Sequence, residues 1–154
     1  MNIKELNNKQ INSTDTKQSK IYAQFGGLLS ELKKREAPEN IGKSINEYVD
    51  EINSSPLTGN QLTKLLKQKQ TEILKQIEKE LKVVPKNHYR TLWMLFGMSG
   101  IGLPIGVAFG LSIGNIGLLG LGLPIGMIIG LAIGASLDKK ALNEGRQLNI
   151  EIKN

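Results

Sequence analysis

Residues 102–115 read GLPIGVAFGLSIGN, and residues 122–135 read GLPIGMIIGLAIGA. The second stretch is a near copy of the first, displaced by 20 positions. Each places glycine at every fourth residue: Gly102, Gly106, Gly110 and Gly114, then Gly122, Gly126, Gly130 and Gly134. In water, glycine inside a helix costs about 0.5–1 kcal/mol relative to alanine. Eight of them at helical spacing call for a setting that enforces the helix and rewards closeness. A bilayer is such a setting. Backbone amides there have no water to turn to, so the helix persists despite glycine. Apolar burial does not drive helix association in lipid, so close contact between backbones takes its place, and small residues four apart make the groove for it.

The charge distribution agrees. The chain has 154 residues, with 20 Lys+Arg against 14 Asp+Glu. Residues 1–90 hold 16 basic and 11 acidic groups, and residues 138–154 hold 4 and 3. Thr91 to Leu137, 47 residues, hold none. A membrane helix needs about 20 apolar residues, so the run fits two spans, expected at about 92–113 and 116–136. Gly114-Asn115 is the turn-like point between them and makes them a tight hairpin. Before the first span, PKNHYRTLW supplies Lys86, His88, Tyr89, Arg90 and Trp93, the basic and amphipathic aromatic residues of a membrane–water boundary. Lys139 and Lys140 follow the second span. Basic flanks favour the cytoplasmic side, so both termini are expected there. Pro104 and Pro124 occupy matching places in the repeat, and each is expected to kink its helix by freeing the carbonyl four residues back.

The polar half reads as a small helical region. Residues 1–19 are rich in Asn, Lys and Ser and predict a disordered tail. In KIYAQFGGLLSELKKRE, Ile21, Tyr22, Phe25, Leu28, Leu29 and Leu32 recur at helical spacing, with Gly26-Gly27 weakening the pattern. ENIGKSINEYVDEI puts Ile41, Ile45, Tyr48, Val49 and Ile52 on one face. Thr58 and Gln61 form a capping-box pattern opening a third helix, which runs to about Val84 and stops at Pro85. Its apolar side is Leu62, Leu65, Leu66, Ile73, Leu74, Ile77, Leu81 and Val84, interrupted at Lys69 and Gln70.

The run from Tyr89 through the two repeats to DKKALNEGRQL resembles small bacterial glycine-zipper membrane proteins, over about residues 86–148. The resemblance implies close packing of membrane helices, self-association and a bacterial inner-membrane location. It implies neither conduction nor an activity, and it does not reach the N-terminal half.

The expected architecture is all-α. A tail over 1–19 and a helical cytoplasmic region over 20–85 precede a transmembrane glycine-zipper hairpin over 86–137. A cytoplasmic C-terminal tail covers 138–154. Catalysis has no evident machinery. His88 is the single histidine and cysteine is absent, which removes thiolate chemistry and a histidine pair within one chain. No phosphate-binding glycine loop with its lysine is present, and GMSGIG lacks the spacing of a nucleophile elbow. No metal, cofactor or nucleic acid is expected. The expected partners are the lipid bilayer, further copies of the chain, and a protein held at residues 20–84. The expected function is a membrane anchor that presents a helical interaction region. A pore-forming or membrane-permeabilising effector is the alternative.

Overall fold

The structure is a computed structural model that describes residues 3–7, 16–35, 38–115, 117 and 119–153. It is mostly helical. The elements are α1 (Thr16–Lys34), α2 (Glu39–Ser54), α3 (Gly59–Leu81), β1 (Val84–Lys86), α4 (His88–Ile113), α5 (Leu119–Asn143) and β2 (Gln147–Glu151). The two short strands pair with each other, a small departure from the expected all-α fold. Two compact units result, Met1–Val84 with Leu148–Asn154, and Pro85–Gln147.

The first unit is a helical bundle whose apolar faces are those the periodicity marks. Ile21, Phe25, Leu28 and Leu32 of α1 meet Ile41, Ile45 and Ile52 of α2 and Leu62, Leu66, Ile73 and Ile77 of α3 in one buried cluster. Each such side chain contributes about 1.5–3 kcal/mol by leaving water. Lys69 and Gln70, which break the apolar series of α3 in sequence, are buried too. Lys69 is tolerated because its ammonium lies 2.7 Å from Glu51 and 3.3 Å from Glu72. It also sits 4.8 Å above the Tyr48 ring centre. The Glu51 hydrogen bond holds the Lys69 pKa above its ordinary value.

Several local expectations are corrected. Residues 1–19 are not all tail. Ile3 is buried, and the amides of Lys4 and Asn7 donate to the side chains of Asn46 and Asn53 at 2.8 Å each. These bonds satisfy backbone donors of a segment that belongs to no helix or strand. Residues 16–19 already belong to α1, while 8–15 lie outside the described residues. Gly26-Gly27 does not interrupt α1. Gly27 instead admits β2, since a Cβ there would lie 2.7 Å from Ile150 Cδ1. Thr58 does occupy the N-cap of α3, but its side chain makes no capping bond, and the chain enters the helix through Gly59 at φ 56°. The helix ends at Leu81 rather than near Val84. Lys82 turns left-handed and the Val83 amide reaches back to Ile77 O at 3.3 Å, closing the end six residues on.

Residues 138–154 are likewise no tail. The second apolar helix continues through Asp138 and Lys140 to Asn143, and Leu148 of β2 is buried in the core of the first unit. An amphipathic strand of five residues is too short to carry a distinct pattern in sequence.

Candidate membrane-spanning helix pair

Both α4 (His88–Ile113) and Gly120–Asn143 within α5 are long and apolar enough to cross a membrane. They pack against one another with an inverted distribution of side chains. The buried positions are glycines: Gly97, Gly102, Gly106 and Gly110 on α4, and Gly122, Gly126, Gly130 and Gly134 on α5. The exposed positions are large and apolar, among them Phe96, Phe109, Leu111, Ile113, Leu121 and Ile128. A water-soluble helix pair would have the reverse arrangement.

The seam is one of backbone against backbone. A Cβ on Gly126 would strike the Gly97 carbonyl and lie 2.6 Å from Gly102 Cα. One on Gly122 would lie 2.7 Å from Gly106 Cα, and one on Gly134 2.5 Å from Arg90 Cα. One on Gly130 would strike the Trp93 carbonyl. The relation is mutual at two places: Cβ atoms on Gly97 and Gly102 would meet the carbonyl oxygens of Gly126 and Gly122. Carbonyls directed at facing Cα atoms are the geometry of weak Cα–H···O contacts.

Of the eight predicted packing glycines, seven are buried and Gly114 is not. Gly114 ends α4 instead, at φ 71°, with its amide on Leu111 O at 3.3 Å. Glycine suits that left-handed position because it carries no Cβ. Gly97 takes a place in the seam that the four-residue count does not give it. It lies five residues before Gly102, which in an α-helix would carry it off the face. The chain compensates with a π-helical turn over Gly97–Gly102, in which the Leu103 amide bonds Met98 O, five residues back. This wide turn absorbs one extra residue and restores phase.

The same turn lies just ahead of Pro104, so the ring follows an already widened segment. Pro124 behaves differently from its counterpart. It lies inside α5, which is α-helical from Leu119 to Asn143. The carbonyl it leaves without a helical partner is that of Gly120, in the helix's first turn.

At the basic end of the pair, Asn87 stands at the N-cap of α4 with φ 61° and makes no side-chain capping bond. Asp138 replaces it. Its carboxylate accepts the amides of Tyr89 at 3.1 Å and Arg90 at 2.9 Å, and it is 7% exposed. These are two of the donors that a helix start leaves unpaired, and the negative charge also suits the helix dipole. Gln147 Nε2 donates to the Asp138 carbonyl at 3.3 Å. Sequence reasoning misses Asp138, yet a signal is present: it is the next step of the series 122, 126, 130, 134. Of the predicted boundary residues, Lys86, Arg90, Lys139 and Lys140 are exposed, while His88, Tyr89 and Trp93 are half-buried. His88 and Tyr89 meet edge to face at 5.2 Å. The Arg146 guanidinium, paired with Glu144 and with the Tyr89 hydroxyl, has its pKa raised chiefly by the Glu144 bond.

Comparison with family models, with curated proteins and with solved structures finds no match for this chain.

Proposed function

We propose that this protein is a small integral membrane protein, in which α4 and α5 form a transmembrane glycine-zipper hairpin that anchors the helical bundle as an interaction module. The observation that carries the reading is the inversion of the pair, with glycine inside and Leu, Ile, Val and Phe outside. In water that surface would expose an apolar area of the kind that aggregates or finds a partner. In hydrocarbon it costs nothing, and the glycine seam supplies contact that lipid cannot. The glycine faces are engaged within the chain, so any assembly of copies must use the outer surfaces of the hairpin. The bundle, with its own buried core, is the part available to a soluble partner.

The permeabilising alternative draws less support. Between residues 92 and 137 the exposed polar side chains among the described residues are Ser99, Ser112, Asn115 and Ser136, and Ser99 already donates to Leu95 O at 2.9 Å. One reconstitution separates these readings. Full-length protein is placed in dye- and ion-loaded liposomes, floated on a density gradient and washed at alkaline pH. Protein that stays with the vesicles without leak agrees with the anchor. Dose-dependent leak would replace it with the effector, and release by the alkaline wash would reject both.

A further inference from the structure

We propose that Lys86, Arg90 and Lys139 form a binding site for the phosphate headgroups of anionic phospholipids. The inference rests on the membrane reading above. In the second unit five basic side chains, Lys86, Arg90, Lys139, Lys140 and Arg146, face two acidic ones, Asp138 and Glu144. Both acids are engaged. Asp138 is buried on the Tyr89 and Arg90 amides. Glu144 takes the Arg146 guanidinium at 2.7 Å and stands 3.9 Å from Lys140. Lys86, Arg90 and Lys139 are exposed and enter no ion pair among the described residues.

The Asp138 bonds hold the start of α4 against the last turns of α5, so Arg90 and Lys139 belong to one end of the pair. The apolar surface begins at once beyond them, with Leu92, Leu95 and Phe96 exposed on the next turns. A ligand that meets both the cations and this apolar surface carries a negative head beside an apolar body. A phospholipid has that form and inorganic phosphate does not. Long basic side chains reach the headgroup layer while their stems lie along the acyl chains, and clustered cations at this depth favour anionic lipid.

The single tryptophan, Trp93, lies three residues after Arg90 and reports on this site without a label. The probe is phosphatidylglycerol or phosphatidylcholine brominated near the carbonyl end of its chains, at equal mole fraction in otherwise identical mixed vesicles. The full-length protein is expected to show stronger quenching by the brominated phosphatidylglycerol. Each cation removed should lower the local preference about fivefold, so K86Q/R90Q/K139Q should equalise the two lipids. Lys139→Gln alone, and wild-type protein near 1 M salt where screening acts within about 3 Å, should each reduce the excess without altering the fold. Equal quenching by the two lipids in wild type overturns the headgroup site and leaves insertion intact. Loss of the excess on adding inorganic phosphate at constant ionic strength reassigns the site to a soluble anion. Quenching by neither lipid means Trp93 is outside the bilayer, and the membrane reading itself fails.

Discussion

At the scale of single residues, the glycines of the hairpin are not interchangeable, although the sequence presents them as a set. Gly100 and Gly102 are two positions apart, yet only Gly102 faces the other backbone. A Cβ on Gly102 would lie 3.0 Å from Leu123 Cα, while one on Gly100 would meet nothing within 4 Å. Gly126→Ala should therefore push the helices apart, destabilising the pair by about 1–3 kcal/mol as overpacking does. Gly100→Ala should be neutral or slightly stabilising, because it only removes backbone freedom. Denaturant titration of the reconstituted protein, read by Trp93 fluorescence, compares the two. Equal costs would mean that the seam does not lie where the structure puts it. Asp138 is equally specific. Asp138→Ala should free the Tyr89 and Arg90 amides and cost about 1 kcal/mol, with faster hydrogen exchange at those two amides as the readout.

At the scale of elements, the π turn of α4 is the local device that lets two unequal glycine spacings share one face. Gly97 to Gly102 is a step of five, whereas α5 keeps steps of four. Deleting Ser99 should convert the turn to α-helix, keep Gly97 in the seam and cost little. Deleting Ile133 should rotate Gly122, Gly126 and Gly130 about 100° away from Gly134 and Asp138, and the pair should lose its cooperative unfolding. A Ser99 deletion as damaging as the Ile133 deletion would show that the turn has another role. The strand β2 depends on a different contact. The Glu31 carboxylate accepts the Asn149 amide at 3.0 Å and the Lys34 ammonium at 2.9 Å. The Lys34 bond, then the Asn149 amide, hold its pKa below the ordinary 4.5. A lowered carboxylate pKa contributes stability above the unfolded value and loses it as pH falls through the folded one. Asn149 amide protection should therefore weaken only on acidification below about pH 4.5. Glu31→Gln should lower that protection at pH 7 and flatten its acid dependence.

At the scale of the whole molecule, the sequence makes the two halves legible for opposite reasons. The bundle is legible because water sorts its residues, and the apolar periodicity of Ile45, Leu66 or Ile77 marks the faces that are buried. The helix pair is legible because charge is absent: a run of 47 uncharged residues marks two long apolar helices, and glycine at every fourth place in the two repeats marks the face on which they meet. What was hidden is whatever depends on distant partners. Ile3 and Leu148 find their burial against the bundle from opposite chain ends, and Asp138 caps a helix 48 residues away. Composition gives no sign of such contacts. The basic flanks do predict an orientation. Lys86, Arg90, Lys139 and Lys140 precede α4's apolar run or follow that of α5, and the described turn residues between the helices are uncharged. Retaining that charge on the cytoplasmic side is favoured, so Asn115 should face the opposite side from Glu80 and Lys153. The chain has no cysteine, so single substitutions at these three positions can be read cleanly with an impermeant maleimide. In intact bacterial cells with a permeabilised outer membrane, Asn115→Cys should label, while Glu80→Cys and Lys153→Cys should label only after lysis. Labelling of Glu80→Cys and Lys153→Cys but not of Asn115→Cys would invert the hairpin and leave the basic collar facing outward. Labelling of all three in intact cells would mean that the helices do not cross at all.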